Sequence, residues 1–253
     1  MRVTFLGTGT SQGVPVIGCR CYGCTSRDPR DQRLRSSILV ETDGAVLVVD
    51  TGPDFRQQML RAGVSRLDAV LFTHEHRDHI AGLDDIRSFN FIQKSPMDIF
   101  AEDRVMRALQ GGFPYVFAEK KYPGVPQVAM HTISNVPFRI GEVKIIPVRL
   151  MHYRLPVLGF RIGDFAYLTD ANFISGEEKK KLEGVRVLVV NALRREKHIS
   201  HFTLSEAIAL IQEIGPEQGY LTHISHQMGR TVDLLKEVPA GIQPASDGLV
   251  LDL

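Results

Sequence analysis

The chain has 253 residues, of which 43% are hydrophobic and 23% are charged, as in ordinary globular proteins. Thirty basic residues against 29 acidic ones leave a formal charge of +1, which excludes nucleic-acid binding through bulk electrostatic attraction alone. There is no apolar run of about 18 residues, and the N-terminus lacks the apolar core of a signal peptide. We therefore expect a cytoplasmic protein that makes no membrane contact.

The predicted elements are hairpins that give way to alternating strands and helices. The first half has strands at 2–7, 37–42, 45–50 and 69–73, a helix at 54–63, helices near 81–92 and 102–111, and a loop at 112–127. Strand runs follow at 137–150 and 157–169, and a capping box at Ser175 to Glu178 begins a short helix. The remaining elements are strands at 185–193, 219–224 and 248–253 and helices at 203–214 and 231–237. Asp43-Gly44 and Gly163-Asp164 are typical two-residue hairpin turns. This order indicates an α/β fold of mixed sheets flanked by helices, and we predict one domain over residues 1–253.

The stretch GCRCYGC contains Cys19, Cys21 and Cys24, the three cysteines of the chain. Three thiols cannot all pair with one another, and cysteines two residues apart make poor disulfides. In a cytoplasmic protein, clustered thiols more often hold metal. The spacing suits three sulfur ligands of a tetrahedral zinc site that still lacks its fourth ligand.

A second cluster, HEHRDH at residues 74–79, follows an apolar strand. His74 and His76 alternate, so their side chains point the same way in extended backbone. Asp78 and His79 follow where the chain turns into a helix, and they can face a neighbouring point. Four candidate imidazole and carboxylate ligands, His74, His76, Asp78 and His79, within six residues favour a metal centre over a solvated loop.

The pattern T-H-x-H-x-D-H after a strand resembles the signature of the metallo-β-lactamase-fold hydrolases, and the resemblance covers essentially the whole chain. It implies an αββα sandwich, in which two mixed β-sheets flanked by helices hold one or two metals at one edge. The family's later ligands are matched in order, each after a strand, by His152 in RLMHYR, Asp170 in YLTDAN and His223 in LTHISH.

Carried over to this chain, the resemblance implies a dinuclear centre of two divalent metals, Zn²⁺ or Mn²⁺. The ligands of the first metal would be His74, His76, His152 and Asp170, and those of the second would be Asp78, His79, Asp170 and His223. Asp170 would bridge the two metals. Asp50, at the end of VVD, resembles the family's buried aspartate that orients a metal-bound histidine from behind.

The fourth ligand for the cysteines has a candidate in His226, three residues after His223. A C-x-C-x-x-C near the first strand with a late histidine is similar to the structural zinc site of the phosphoribosyl 1,2-cyclic phosphate phosphodiesterases. These are the carbon–phosphorus lyase pathway members of this fold. A coenzyme pyrroloquinoline quinone biosynthesis protein of the fold has a similar cysteine cluster but a degraded catalytic motif, whereas the motif is intact here.

His201 opens HFTLSEAIALIQ, before a predicted helix. In the phosphodiesterase branch a histidine at this place is positioned to protonate the leaving oxygen. The resemblance therefore implies that His201 is the general acid and that Asp78 helps to orient the nucleophile, a hydroxide shared by the two metals. We predict a dinuclear metal-dependent phosphodiesterase that hydrolyses a small cyclic phosphodiester resembling a phosphoribosyl cyclic phosphate.

The principal alternative is a transfer-RNA 3′-end processing endonuclease. The chain lacks the long basic Gly- and Pro-rich arm of those nucleases, and its near-zero net charge disfavours nucleic acid as a partner. A thioesterase or lactonase of the same fold is a third interpretation, which His201 and the cysteine cluster disfavour. We expect a small-molecule substrate, and a homodimer would be in keeping with this branch of the fold.

Overall fold

The structure is a computed structural model that describes residues 1–42 and 44–253, and within them it contains two β-sheets and eight α-helices. The strands are β1 (Arg2–Gly7), β2 (Ser37–Thr42), β3 (Ala45–Val49), β4 (Ala69–Leu71), β5 (Met97–Ala101), β6 (Val128–Thr132), β7 (Phe138–Ile140), β8 (Val143–His152), β9 (Leu155–Ile162), β10 (Phe165–Leu168), β11 (Phe173–Ile174), β12 (Val187–Asn191), β13 (Gln218–Thr222), β14 (Ile242–Pro244) and β15 (Val250–Asp252). The helices are α1 (Phe55–Ala62), α2 (Arg77–Ile80), α3 (Arg87–Gln93), α4 (Asp103–Gly112), α5 (Pro114–Phe117), α6 (Gly176–Lys180), α7 (Leu204–Ile214) and α8 (Thr231–Glu237). None of the helices in these described residues has the length and apolar character needed to span a membrane.

The first sheet has the strand order β15-β1-β2-β3-β4-β5-β6. Strands β15, β1, β2 and β3 pair antiparallel, and β3 to β6 pair parallel. Thr42 pairs with Ala45 across the predicted β2–β3 hairpin, while Asp43 of its turn lies outside the described residues.

The second sheet repeats this change from antiparallel to parallel pairing. Its order is β11-β8-β9-β10-β12-β13-β14, with β7 paired to β8. The β9–β10 hairpin turns at Gly163, as predicted, and β10, β12, β13 and β14 then run parallel. In both sheets the parallel strands end at one edge, and chemically important side chains can gather there.

Three apolar clusters hold the layers together. One lies between the sheets and includes Phe5 and Phe160, the second packs the second sheet against its helices, and the third packs the first sheet against α1 to α5. All residues of β10 and β12 are buried, because both faces of these central strands are covered. The predicted αββα sandwich of two mixed sheets flanked by helices is confirmed.

Most predicted elements lie within one or two residues of their observed bounds, but several differ. The helix predicted near 81–92 is a 3-10 turn at Leu83–Ile86 followed by α3, and the short helix α2 precedes it. The loop predicted at 112–127 contains the four-residue helix α5. Strands β5, β6, β11 and β14 were not predicted. Strand β6 lies at the sheet edge with half-buried and exposed residues, so it lacks the apolar run that marks an interior strand.

Candidate metal centre and active site

Two groups of potential metal ligands meet at one edge of the sandwich. Their members are His74, His76, His152 and Asp170 in the first group, and Asp78, His79, Asp170 and His223 in the second. Within each group, one ligand atom from every residue lies within 4.8 Å of the others. Asp170 belongs to both groups, so its carboxylate lies where a bridging ligand would be needed. The structure thus brings together all seven residues that the sequence assigned to a dinuclear centre.

The HEHRDH segment supplies both groups because it joins a strand to a helix. His74 lies three residues beyond the end of β4 and His76 immediately precedes α2, and both belong to the first group. Asp78 and His79 lie inside α2, where the helical turn directs them to the second group. The change of backbone from strand to helix therefore allows six consecutive residues to serve two neighbouring points.

Asp50 lies behind the centre and is fully buried. Its Oδ2 accepts hydrogen bonds from His79 Nδ1 at 2.7 Å and from Thr73 Oγ1 at 2.8 Å, and its Oδ1 accepts from the Thr73 backbone N–H at 2.8 Å. Because Thr73 donates its hydroxyl proton to Asp50, its oxygen accepts from His74 Nδ1 at 2.9 Å. Asp50 thus orients His79 directly and His74 through Thr73, with Nε2 of both rings facing the centre.

Thr73 is a residue for which the sequence analysis gave no role. It stands immediately before the first histidine of the motif, and its hydroxyl is the link between Asp50 and His74. Its position could have indicated this role, because a residue able to form hydrogen bonds directly precedes the ligand motif.

The buried imidazole nitrogens and carboxylates of this centre form a suitable site for a cation. The Nε2 atoms of His74 and His79 are buried and, among the described residues, have no hydrogen-bond partner. Burial lowers the pKa of His74 well below its ordinary value, which keeps a lone pair available. Although burial opposes it, the carboxylates of Asp170, Asp78 and Asp50 raise the pKa of His79 well above its ordinary value. A divalent cation fits this set of buried imidazoles and carboxylates, and nitrogen and oxygen donors suit zinc, manganese or iron(II).

The pKa of the Asp170 carboxyl is controlled by burial and by neighbouring histidines. Burial alone would raise its pKa, but His223 and His79 hold the pKa of Asp170 well below its ordinary value. Its Oδ2 lies 3.3 Å from His79 Nε2 and 3.6 Å from His74 Nε2, and its Oδ1 lies 2.9 Å from His223 Nδ1. The group is therefore ionised and surrounded by ligand nitrogens.

Three site residues adopt a left-handed backbone. Asp50, Asp170 and His223 have φ values of 66°, 54° and 54°, and each directly or closely follows a strand. A residue with a side chain seldom adopts this region, although aspartate and histidine do so more often than most. The three sharp turns direct the side chains away from the sheet plane and into the centre, at a conformational cost of about 1–3 kcal/mol each.

His201 and His152 lie beside the shared carboxylate. His201 Nε2 is buried, has no hydrogen-bond partner among the described residues, and lies 3.6 Å from Asp170 Oδ2. Its ring stacks on His223 with 5.0 Å between centroids. His152 Nδ1 donates to the Ser200 carbonyl at 2.9 Å, and burial lowers its pKa to about 4, so Nε2 remains an available donor atom.

The three cysteines converge with His226 in a separate group. Their sulfur atoms and one His226 nitrogen lie within 4.8 Å of one another, and Nδ1 is 3.3 Å from Cys19 Sγ and 3.4 Å from Cys21 Sγ. The backbone N–H of Cys24 facing the sulfur lowers the pKa of Cys21 to about 6, whereas burial raises that of Cys24 to about 11. Three thiols and one imidazole form the donor set of a closed zinc site.

Most of the chain matches the sequence pattern of one known protein family. The model described as "Beta-lactamase superfamily domain" matches residues 46–224. The chain is 42% identical over 252 residues to a Porphyromonas gingivalis protein named octanoyltransferase, and 30% identical over 151 residues to ribonuclease Z of Salinibacter ruber. These matches cover 98% and 56% of this chain but 51% and 46% of the relatives. The chain therefore spans about half the length of these curated relatives.

Solved structures give similarity over the full length. A diphosphatase from the PhnP family is 40% identical and superposes with a TM-score of 0.93, covering 100% of this chain and 97% of that chain. Zn²⁺-bound PqqB from Methylobacterium extorquens has a TM-score of 0.83 with 100% of both chains covered, and its 20% identity shows a common fold alone.

Proposed function

The chain belongs to the β-lactamase superfamily, and we propose that within it this protein is a dinuclear metal-dependent phosphodiesterase acting on a small cyclic phosphodiester. The superfamily match, the grouped histidine and aspartate side chains and the similarity to a PhnP-family diphosphatase support a metal-dependent hydrolase. The observation that supports phosphodiester hydrolysis is the position of His201. Its Nε2 has no hydrogen-bond partner among the described residues and lies 3.6 Å from the shared Asp170, so a substrate bound at the centre would have its leaving oxygen within reach of this nitrogen.

The ligand roles follow the two groups of the centre. We propose His74, His76, His152 and Asp170 as ligands of one divalent metal and Asp78, His79, Asp170 and His223 as ligands of the other, with Zn²⁺ or Mn²⁺ at each position. When bound, the pair would polarise the phosphoryl oxygens and acidify the attacking water. Cys19, Cys21, Cys24 and His226 would hold one structural Zn²⁺.

The residues of the chain supply orientation and proton transfer. Asp78 lies 3.2 Å from His79 Nε2 and is only partly buried, so its second oxygen can accept a hydrogen bond from the nucleophile. His201 donates the proton that turns the departing alkoxide into an alcohol. General acid catalysis of this kind contributes about 10²–10⁴-fold to the rate.

A diphosphate is the second candidate substrate, because the PhnP-family structure that is 40% identical over the full length is named a diphosphatase. The chemistry is again attack at phosphorus, but the leaving group is a phosphate, which is a weaker base than an alkoxide. Hydrolysis of a diphosphate would therefore depend less on His201 than hydrolysis of a cyclic ester.

Two further activities have weaker support. Transfer-RNA processing is suggested by the similarity to ribonuclease Z, but that match covers 56% of this chain, and the net charge of +1 offers little attraction for RNA. Octanoyl transfer is named for a relative about twice as long. Transfer through a covalent acyl intermediate needs an activated nucleophile, and the three thiols are grouped with His226, apart from the seven centre ligands. We also propose that the enzyme is cytoplasmic, acts on a small-molecule substrate and forms a homodimer.

The test is a rate panel on zinc- and manganese-loaded protein. The substrates are bis-p-nitrophenyl phosphate, a ribose 1,2-cyclic phosphate, ADP, precursor transfer RNA, a phosphomonoester and an acyl thioester. We expect turnover of the first two and almost none of the monoester, whose extra charge competes for the metals. Preferred turnover of ADP would favour the diphosphatase candidate, and dominant turnover of the monoester or the thioester would overturn the proposal.

A further inference from the structure

We infer that His198 is a positioning residue that fixes the orientation and tautomer of His201. This inference rests on the proposed role of His201 in protonating the leaving group. His198 Nδ1 lies 3.1 Å from His201 Nδ1, on the side of the His201 ring that faces away from Asp170. The sequence alone indicates a surface or supporting residue at His198, and no metal-ligand group among the described residues includes it.

The direction of this hydrogen bond follows from a neighbouring backbone group. The Ser200 N–H, which can only donate, approaches His198 Nδ1 at 3.4 Å. His198 Nδ1 is therefore the acceptor, and the proton of the neutral His198 ring resides on Nε2. It follows that His201 carries a proton on Nδ1 and donates it to His198.

This tautomer is the one that proton delivery requires. Before delivery the His201 imidazolium holds protons on both nitrogens, and afterwards the neutral ring keeps only the Nδ1 proton. The Nδ1–H of His201 thus donates to His198 throughout, while Nε2 gives its proton to the leaving oxygen. The hydrogen bond needs no rearrangement during the reaction, which is the advantage of a preorganised site.

The segment that carries both histidines is anchored to the centre. Asn172 Nδ2 donates to the Ile199 carbonyl at 3.1 Å, His152 Nδ1 donates to the Ser200 carbonyl at 2.9 Å, and the Phe202 N–H donates to Ala171 at 2.7 Å. Residues adjacent to Asp170, together with a proposed metal ligand, therefore hold the backbone around His201. His198 completes this support at the level of the side chain.

Ser200 offers the only competing contact on the described part of this segment. Its hydroxyl lies 3.1 Å from His201 Nδ1 and 3.3 Å from His198 Nδ1. A hydroxyl can rotate to donate or accept, so it does not by itself impose a tautomer. Replacement of Ser200 by alanine separates the two contacts, because it removes the hydroxyl and retains both the backbone N–H and His198.

The experiment compares four variants of the zinc-loaded protein on two phosphodiesters. His198→Leu removes the acceptor, His198→Asn restores an oxygen near the position of Nδ1, Ser200→Ala removes the competing hydroxyl, and His131→Asn replaces an exposed histidine paired with Asp98 in the first sheet. The substrates are a ribose 1,2-cyclic phosphate, which has a poor leaving group, and bis-p-nitrophenyl phosphate, which has a good one.

We expect His198→Leu to lower kcat on the cyclic phosphate by about 10–10²-fold, a part of the general-acid contribution, with KM almost unchanged. The loss on bis-p-nitrophenyl phosphate should be less than about threefold, because nitrophenolate needs little protonation. His198→Asn should recover most of the loss, Ser200→Ala should lose less than His198→Leu, and His131→Asn should match the parent protein. Equal losses on both substrates, no loss on the cyclic ester, or a larger loss in Ser200→Ala would overturn the inference.

A spectroscopic measurement keeps the inference testable independently of turnover. In ¹⁵N spectra of the zinc-loaded parent protein, the His201 ring should be protonated at Nδ1 and the His198 ring at Nε2. Any other pair of tautomers would overturn the inference even if His198→Leu failed to fold. If the parent hydrolyses no phosphodiester, the proposed function fails; if His201→Ala shows the leaving-group dependence and His198→Leu does not, only this inference fails.

Discussion

The His/Asp centre and the Cys/His group are two sets of potential metal ligands that come close in sequence at His223 and His226, but they are built in different ways. The His/Asp centre takes its ligands from the ends of several strands and from α2, and most of them are buried. The Cys/His group takes three ligands from one loop and the fourth from a short 3-10 turn at His226–Met228, and only Cys24 is buried. Side chains held by both sheets are suited to chemistry, because their geometry is fixed by the whole fold. A closed zinc site formed by side chains on loops would instead hold those loops in place.

His223→Ala should have the largest effect on rate. Loss of this ligand would weaken binding of the proposed second metal. Stabilisation of transition-state charge by such a metal would be worth several kcal/mol, and about 1.36 kcal/mol corresponds to a tenfold change in rate. We expect kcat/KM on the cyclic phosphate to fall by at least about 10³-fold, while the zinc in the Cys/His group remains. Metal analysis together with the rate checks both statements. Loss of the cysteine-bound zinc in this variant would break the distinction between the two regions.

His201→Ala should come next and should leave every metal in place. On the cyclic phosphate we expect a loss of about 10²–10³-fold, because the leaving alkoxide must depart without a proton. Bis-p-nitrophenyl phosphate should lose less than about tenfold. An equal loss on both substrates would remove His201 from the general-acid role and assign it to binding or structure.

Asp50→Asn tests the support behind the centre. The amide cannot accept the hydrogen bonds of His79 and Thr73 as a carboxylate does, and such a change typically costs about 10–100-fold in metal affinity or activity. We expect that loss in a metal titration, with no change in zinc at the cysteines. Asp98→Asn, which alters a half-buried aspartate paired with His131 away from the centre, is the matched control. Equal metal affinity in both variants would show that Asp50 has no orienting role.

His226→Ala and Cys21→Ser should have the smallest effect on rate and a clear effect on stability. Each opens the proposed structural zinc site, so we expect one zinc less per chain and a rate within about threefold of the parent. Structural zinc binding is worth about 10 kcal/mol in small domains. If about 3 kcal/mol of this appears as folding stability here, the Tm should fall by about 10 °C in a chain of this size. Unchanged zinc content and Tm in both variants would mean that the thiols are not ligands.

Local sequence patterns predicted most of the fold but only part of the set of candidate metal ligands. Alternation and capping signals defined most strands and helices, whereas β6 was missed because its half-buried and exposed residues at the sheet edge lack an apolar run. The close spacing of His74, His76, Asp78 and His79 was visible without any relative. The distant residues His152, Asp170 and His223 were assigned through the family resemblance, because spacing alone does not specify which strands end together.

The hydrogen bonds around the centre were beyond sequence reasoning. The link from Asp50 through Thr73 to His74 depends on side-chain rotation and on how two loops meet, and the contact between His198 and His201 depends on side-chain rotation within one loop. Neither has a characteristic spacing along the chain. They became evident only when donors and acceptors could be followed atom by atom.

The left-handed backbone at Asp50, Asp170 and His223 has an evolutionary consequence. Glycine adopts this conformation without steric penalty, so relief of backbone strain alone would favour glycine at all three positions. Aspartate and histidine stand there at the expense of stability, which is the trade-off that active sites impose. In a lineage that abandoned the chemistry, glycine at Asp170 or His223 would therefore relieve strain, whereas glycine at Asp50 would also leave the buried Thr73 N–H without its acceptor.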